Sequence, residues 1–419
     1  MDVTYLDHVH LAGPFVELEP HWHGVPQDDG PPLGFNQRNH LAAVAASGRS
    51  TWIGGTVDIG GPDGAPAWSD TELADAVRSV VAGAPSLRRV ASGDAHVPFP
   101  PDALTVVVGP VRPAPPVELA ARIATACLPG AVPGVYAARA GTALLFAVDH
   151  VHGDMLSIDL VLRRLWDALH GRSVAEPDTT SPVPAVVPGS DTALDVALDV
   201  WLDPALDVWR RFFTLTDGHV PAFPVQLSTG MTEPVHDVRP LTRAPAITGD
   251  LDRRTFATIL TALAEAVEPV TGSPEFATVI PVHTRGRRDD PRHNVVGWMV
   301  SNAPVVARAG DVETTAGWLR DAVTVAGLPL ETMIRECRPV LPDGVVPMVS
   351  YMDFRHRGDP LPQARYISST SPTDTAQLWF SRTRDGLAVR AKYPDTPVSC
   401  QVIGGVLDRL EAALHRDQK

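Results

Sequence analysis

Ala143-Leu144-Leu145-Phe146-Ala147-Val148-Asp149-His150-Val151-His152-Gly153-Asp154-Met155-Leu156-Ser157 is the stretch on which the reading of this chain turns. Ala143 to Val148 is apolar at every position, the pattern of a strand buried on both faces. After the corner the period changes. Ile158, Leu162, Leu165, Trp166 and Leu169 form one helical stripe, with Asp159, Arg163, Arg164 and Asp167 outside it. The corner itself, Asp149 to Asp154, joins a buried strand to a helix. A His at the end of such a strand is held in one rotamer and aimed outward, and its proton moves near neutral pH. An Asp four positions later sits where a helix N-terminus favours a carboxylate, and it organises the turn through backbone N–H groups or an Arg partner. His150 and Asp154 are therefore the candidates for proton transfer or positioning. The competing reading of a lone His is a core residue that only satisfies a hydrogen bond.

Working outward, helical and strand patterns alternate along the chain, which predicts an α/β (α+β layered) class. Upstream lie a short helix (Asn36 to Ala46), a strand (Trp52 to Ile59) and a helix opened by the capping box Ser69-Asp70-Thr71-Glu72. A buried strand (Leu104 to Val108) and a helix (Val117 to Ala126) follow. Downstream, Ser173 to Ser190 is rich in Pro, Thr and Val without periodicity and reads as a linker. At 419 residues the chain exceeds a single ordinary core. Two lobes are predicted, 1–175 carrying the His corner and 176–419. The second reads as helix (Leu194 to Phe213), helix (Leu251 to Val267), strand (Phe276 to Val282), a helix capped by Asp311, three strands between Val345 and Ala391, and a terminal helix from Pro397.

Composition excludes several functions. The net charge of −14 argues against nucleic acid, whose phosphates need a basic surface. Apolar runs are strand-sized, far short of the ~20 residues of a membrane span. The N-terminus has neither a basic nor an apolar leader region, so the cytoplasm is expected. Cys127, Cys337 and Cys400 are odd in number and far apart, indicating neither disulfides nor a zinc site. The pairs His8/His10, His21/His23 and His150/His152 are His-x-His, but no Cys or Glu stands at ligand spacing, so no metal is expected. Arg163, Arg164, Arg210 and Arg211 suit either a patch for a carrier or a solvated helix face.

The corner resembles the His-His-x-x-x-Asp-Gly signature of condensation domains from nonribosomal peptide synthetases, with Asp149 at the first His and Met155 at the Gly. Weaker similarities follow in register. Pro32-Leu33-Gly34-Phe35-Asn36-Gln37-Arg38 is similar to the family's Leu-Ser-x-x-Gln segment, and Ala84-Pro85-Ser86-Leu87-Arg88-Arg89 to its His-x-x-Leu-Arg-Thr element. Trp209-Arg210-Arg211-Phe212 resembles its tryptophan-bearing helix, and Val295-Val296-Gly297-Trp298-Met299-Val300-Ser301-Asn302 its Val-Gly-x-Phe-Val-Asn segment. The resemblance implies two chloramphenicol-acetyltransferase-like lobes in a V around a central channel. It implies a free-standing acyltransferase of secondary metabolism, such as antibiotic biosynthesis, that forms an amide or ester. The donor would be an acyl- or peptidyl-carrier protein or acyl-CoA, and the nucleophile a small amine or alcohol. No cofactor is implied beyond the phosphopantetheine that arrives on the donor.

Carried over, His150 is the base or positioning group and Asp154 a structural carboxylate. Asp154 would pair with an Arg of the second lobe, by position Arg287, with Arg285 the alternative. Asp149 would support the corner by hydrogen bonding and raise the pKa of His150. Met155 and Asn302 would line the channel, Met155 narrowing the donor's approach. The alternative is a condensation-like protein that binds a carrier without catalysis, or runs another His150-dependent reaction.

Overall fold

The computed structural model describes residues 2–9, 11, 13–26, 32–92, 95–113, 116–132, 134–176, 192–247, 249, 252, 254–286, 289–342 and 344–416. The linker reading of 173–190 falls mostly outside them.

The chain folds into two compact units that do not follow a single cut. The first takes Met1–Ser181 and two later returns, Arg285–Met299 and Asp359–Thr370; the second takes the remainder. The expected division into 1–175 and 176–419 names a single crossing, whereas the chain returns twice to the first unit. The returns have no sequence signal because what they contribute is long-range pairing.

In the first unit the strands β1 (Asp2–Tyr5), β2 (Phe15–Trp22), β3 (Trp52–Asp58), β6 (Leu104–Val108), β7 (Val135–Ala140) and β8 (Ala143–Asp149) join β13 (Arg365–Ser368) in one sheet. Its order is β1-β13-β3-β8-β7-β2-β6. β4 (Arg89–Ser92) and β5 (Ala95–Pro98) form a separate two-stranded antiparallel sheet. The returning β13 lies parallel to β1 and antiparallel to β3, and the Tyr366 hydroxyl donates to buried Asp159 Oδ1 at 2.6 Å. β8 sits centrally between β3 and β7, so both faces are covered and its apolar run is explained. β6 departs from the sequence reading. It is an edge strand with Thr105, Val107 and Val108 exposed, because only β2 pairs with it.

Helices α1 (Phe35–Ser47), α2 (Asp70–Gly83), α3 (Pro116–Ala126) and α4 (Met155–Leu169) complete this unit. The predicted box caps α2: Glu72 N–H donates to Ser69 Oγ and Ser69 N–H to Glu72 Oε2. α4 lies against β3 at Gly55, where a Cβ would come within 2.8 Å of Leu162 Cδ1 and 2.6 Å of the Arg365 carbonyl. Only glycine lets the helix come so close to the central sheet.

The second unit holds α5 (Thr192–Leu215), β9 (Pro234–Arg243), α6 (Thr255–Thr271), β10 (Glu275–His283), β11 (Val300–Arg308), α7 (Val312–Val325), α8 (Leu330–Cys337), β12 (Met348–Asp353), β14 (Gln377–Arg382), β15 (Gly386–Pro394) and α9 (Pro397–Arg416). Its sheet runs β11-β10-β12-β14-β15-β9. α6 and α9 share one face of it: Phe256 stacks on Tyr351 at 5.2 Å, Arg239 reaches Asp408, and Arg409 donates to the Ala266 carbonyl.

Candidate active site

His150 follows β8 directly and starts a single 3-10 turn, His150–His152. Three bonds fix this turn to the sheet and α1. His150 N–H donates to the Thr51 carbonyl at 3.0 Å, Val151 N–H to Asp149 Oδ1 at 2.8 Å, and Gln37 Nε2 to the Val151 carbonyl at 2.8 Å. The half-buried His150 ring lies 4.2 Å from the Trp298 ring and 6.1 Å from that of His40, between centroids.

The Asp149 carboxylate is fully buried. Its Oδ1 also meets His40 Nε2 at 2.9 Å, and its Oδ2 has no hydrogen-bond partner among the described residues. Asp149 thus does the expected hydrogen bonding, to a partner absent from the sequence reading. His40 and Trp298 both sit outside the motif. The available signal was that His40 falls one helical turn after the near-motif Gln37, on the same face of α1.

Asp154 is the N-cap of α4 and accepts from Ser157 N–H at 2.9 Å. Its partner is Arg285, which donates from Nη1 to Oδ2 at 2.5 Å and from Nη2 to Oδ1 at 2.9 Å. This corrects the order of preference, because Asp154 is engaged bidentately by Arg285 and Arg287 lies outside the described residues. The pair also belongs to the first unit, since Arg285 begins the return that closes on it. Arg285 Nη2 donates further to the Gly297 carbonyl at 3.0 Å, and Met299 N–H donates to Asp154 Oδ2 at 3.1 Å. One buried ion pair therefore clamps both sides of Trp298 and sets that ring against His150. Met155 is half-buried in the first turn of α4. Asn302 stands on β11 of the second unit, opposite Pro281.

The electrostatics define what the site does. Loss of water around His150 lowers its pKa below the usual 6.5, and the neighbouring His40 ring acts in the same direction. Its own carbonyl, Asp149 and Asp154 act in the opposite direction and do not win. The expected net rise from Asp149 is thus reversed by burial. The imidazole is neutral at pH 7, and among the described residues its buried Nδ1 has no hydrogen-bond partner beyond that influence of its own carbonyl. Burial would also push the Asp154 carboxyl up, but the Arg285 guanidinium and the Ser157 hydrogen bonds hold it below its usual range.

Behind the turn, His152 Nδ1 meets the Ser86 carbonyl at 3.1 Å, and Gln37 Nε2 reaches His96 Nε2 at 2.8 Å. Burial depresses both rings, that of His96 to about 3. All three depressed histidines bind protons more weakly folded than unfolded. Their contribution to stability is full above pH 6.5 and declines as pH falls toward the folded values. The melting temperature is expected to drop between pH 6.5 and 4, less steeply in His96→Gln. A flat profile would contradict buried neutral histidines.

Opposing electrostatic influences give a second test. His40→Gln is expected to raise the His150 pKa and Asp149→Asn to lower it further, as read by histidine NMR titration. Shifts of the same sign would contradict the assignment.

Among the described residues no group of three or more His, Cys, Asp or Glu is arranged to hold a metal. No helix among them is long and apolar enough to cross a membrane. The four helix arginines considered for a carrier patch all face carboxylates: Arg163 meets Asp159, Arg164 Glu176, Arg210 Asp207, and Arg211 Asp321.

No model of a known protein family matches the sequence, and no curated protein matches it. Solved structures do. The PapA2 acyl transferase superposes with a TM-score of 0.77 at 14% identity, over 100% of both chains. The first condensation domain of the calcium-dependent antibiotic synthetase, in complex with a substrate analogue, gives 0.64 at 20% identity, over 94% of this chain and 97% of that one. At such identities the likeness speaks for architecture, and it extends over nearly the full length of each. This chain has the condensation-domain-like fold.

Proposed function

We propose that the protein is an acyltransferase of the condensation type in which His150 accepts the proton of the attacking nucleophile. The observation that carries this reading is a neutral imidazole held between a buried strand end and the Trp298 ring, with no bond from its Nδ1 to another described residue. A neutral ring is already in the form a general base requires. The fold shared with the PapA2 acyl transferase and a condensation domain supports it.

In this reading an amine or hydroxyl attacks the carbonyl of an acyl thioester, and His150 Nε2 takes the proton as the new C–N or C–O bond forms. The tetrahedral intermediate then expels the thiolate, which receives the proton back from the imidazolium. The products are an amide or ester and a free thiol. No acyl-enzyme is required, and the sequence holds no Gly-x-Ser-x-Gly nucleophile elbow. Asp154 and Arg285 do not touch the reacting atoms; they position Trp298 and the first turn of α4. The thioester would be presented on CoA or on an acyl- or peptidyl-carrier protein, as in cytoplasmic secondary metabolism.

The test is intact-mass analysis of products from the purified protein, acyl-CoAs or acyl-loaded carrier proteins, and a panel of amines and alcohols. A new amide or ester mass with release of free thiol is the expected result. Binding of the loaded carrier without any product would replace this reading by the non-catalytic one.

A further inference from the structure

The end of the first sheet away from His150 carries a second set of polar side chains. β8 begins there at Ala143 and His150 follows its other end, about 20 Å away at ~3.4 Å per residue. A cavity of about 200 Å³ opens at this end. It is lined by Thr56, Asp58, Gln363 and Arg365, with an apolar wall that includes Val9, Leu11 and Ala140. All of them belong to the first unit. Benzene fits a cavity of about 150 Å³, so there is room for a small molecule.

Strand alternation gives the side-chain directions. Ile367 lies in one apolar cluster with Val9, Trp52 and Ala140. Arg365 stands two residues before Ile367 on β13, and Thr56 and Asp58 share the Trp52 face of β3. All three polar residues therefore face the cavity. Register sets Arg365 directly opposite Thr56, which makes Asp58 its diagonal neighbour, about 7–8 Å away. The Arg365 guanidinium has neither a carboxylate nor a hydrogen-bond partner among the described residues. Asp58 is held in place by the Gly60 N–H at Oδ1 (3.1 Å) and by Gln363 Nε2 at Oδ2 (2.9 Å). Each oxygen keeps a free lone pair. Gln363 makes its bond from a φ of 41°, a conformation that a non-glycine residue keeps only where its surroundings impose it. Between the two charges lies Thr56, 4% exposed, whose hydroxyl has no hydrogen-bond partner among the described residues. Buried hydroxyls are normally satisfied, so this one marks the place of a polar ligand.

A guanidinium and a carboxylate that flank one cavity without meeting complement a molecule that carries both opposite charges. We propose that this cavity binds a small α-amino acid. Its carboxylate would lie on Arg365, which suits that group in a planar, two-bond geometry. Its ammonium would donate to Asp58, with the Thr56 hydroxyl between them and a short apolar side chain against Val9 and Leu11. The site is remote from His150 and does not depend on whether that residue moves a proton.

Saturation-transfer NMR with the full chain is expected to show saturable binding of L-valine. Two truncated analogues test each charge: 3-methylbutanoate lacks the ammonium and isobutylamine lacks the carboxylate. Each is expected to bind roughly tenfold more weakly than L-valine. Arg365→Met and Asp58→Asn are each expected to weaken L-valine by a similar factor, and His150→Ala to bind it as the parent does. Absence of saturable L-valine binding to the unaltered protein would overturn the proposal. So would unchanged affinity in Arg365→Met and Asp58→Asn, or an analogue that binds as tightly as L-valine. Loss of binding in His150→Ala would place the amino acid at the His150 corner and overturn it as well. The main measurement uses the unaltered protein, so it does not depend on the variants folding.

Discussion

His150→Ala is expected to lower the rate of acyl transfer about 10²–10⁴-fold, the range contributed by a positioned general base, and to leave the fold unchanged. The ring can be removed without orphaning a buried partner. Its Nδ1 bonds to no other described residue, and the bond from His150 to Thr51 that helps hold the corner is made by the main chain. The lost packing against Trp298 lies beside a half-buried position. Circular dichroism melting and single-turnover rates separate the two effects. A rate within a few-fold of the parent protein would remove His150 from the chemistry. A collapsed fold would show that the histidine was a core residue after all.

The second large effect concerns the clamp. Arg285→Met leaves the Asp154 carboxylate buried without its cation, a change that costs ~3–5 kcal/mol in comparable sites. Asp154→Asn is expected to cost a similar amount, because Arg285 is then the stranded charge. The melting transition is expected to fall in both variants. Activity is expected to fall further than in a variant of equal stability changed elsewhere, because Gly297 and Met299 lose the contacts that hold Trp298 against His150. The effect depends on pH in a defined direction. The folded Asp154 carboxyl is held below its usual 3.8, so its contribution is full above that value and is lost as pH falls through the lower folded value. The stability gap between Asp154→Asn and the parent is therefore expected to be constant above about pH 4–5 and to close below it. An unchanged melting temperature at neutral pH would contradict the clamp.

How much of this was legible in the sequence depended on how local the cause was. β8, α4 and the cap of α2 are written in consecutive residues: an unbroken apolar run, a 3.6-residue stripe and a four-residue box. The bounds found, Ala143–Asp149 and Met155–Leu169, agree with those patterns. Asp154 as a structural carboxylate was equally local, since a helix N-cap favours it. What escaped depends on partners far along the chain. β13 is four residues long, and it is a strand of the first sheet only because β1 and β3 flank it. β6 has the composition of a buried strand and yet lies at an edge, which is a matter of sheet order. Arg285 was outranked by Arg287 because counting along a motif cannot say which guanidinium turns inward. His40 met Asp149 across 109 positions, and no local pattern announces that pair. The exchange is nonetheless physically consistent. An acid occupies the first position of the motif, and a histidine from α1 supplies its hydrogen-bond partner.

The measurement that bears most directly on the central claim is the pH dependence of kcat/KM for the product found by mass analysis. A general base that is neutral through loss of water gives a single acidic limb whose midpoint lies below 6.5, with a plateau from there through pH 8. That limb is expected to shift upward in His40→Gln and to be absent from the residual activity of His150→Ala. A midpoint at or above 6.5, or the same limb persisting without His150, would contradict the account.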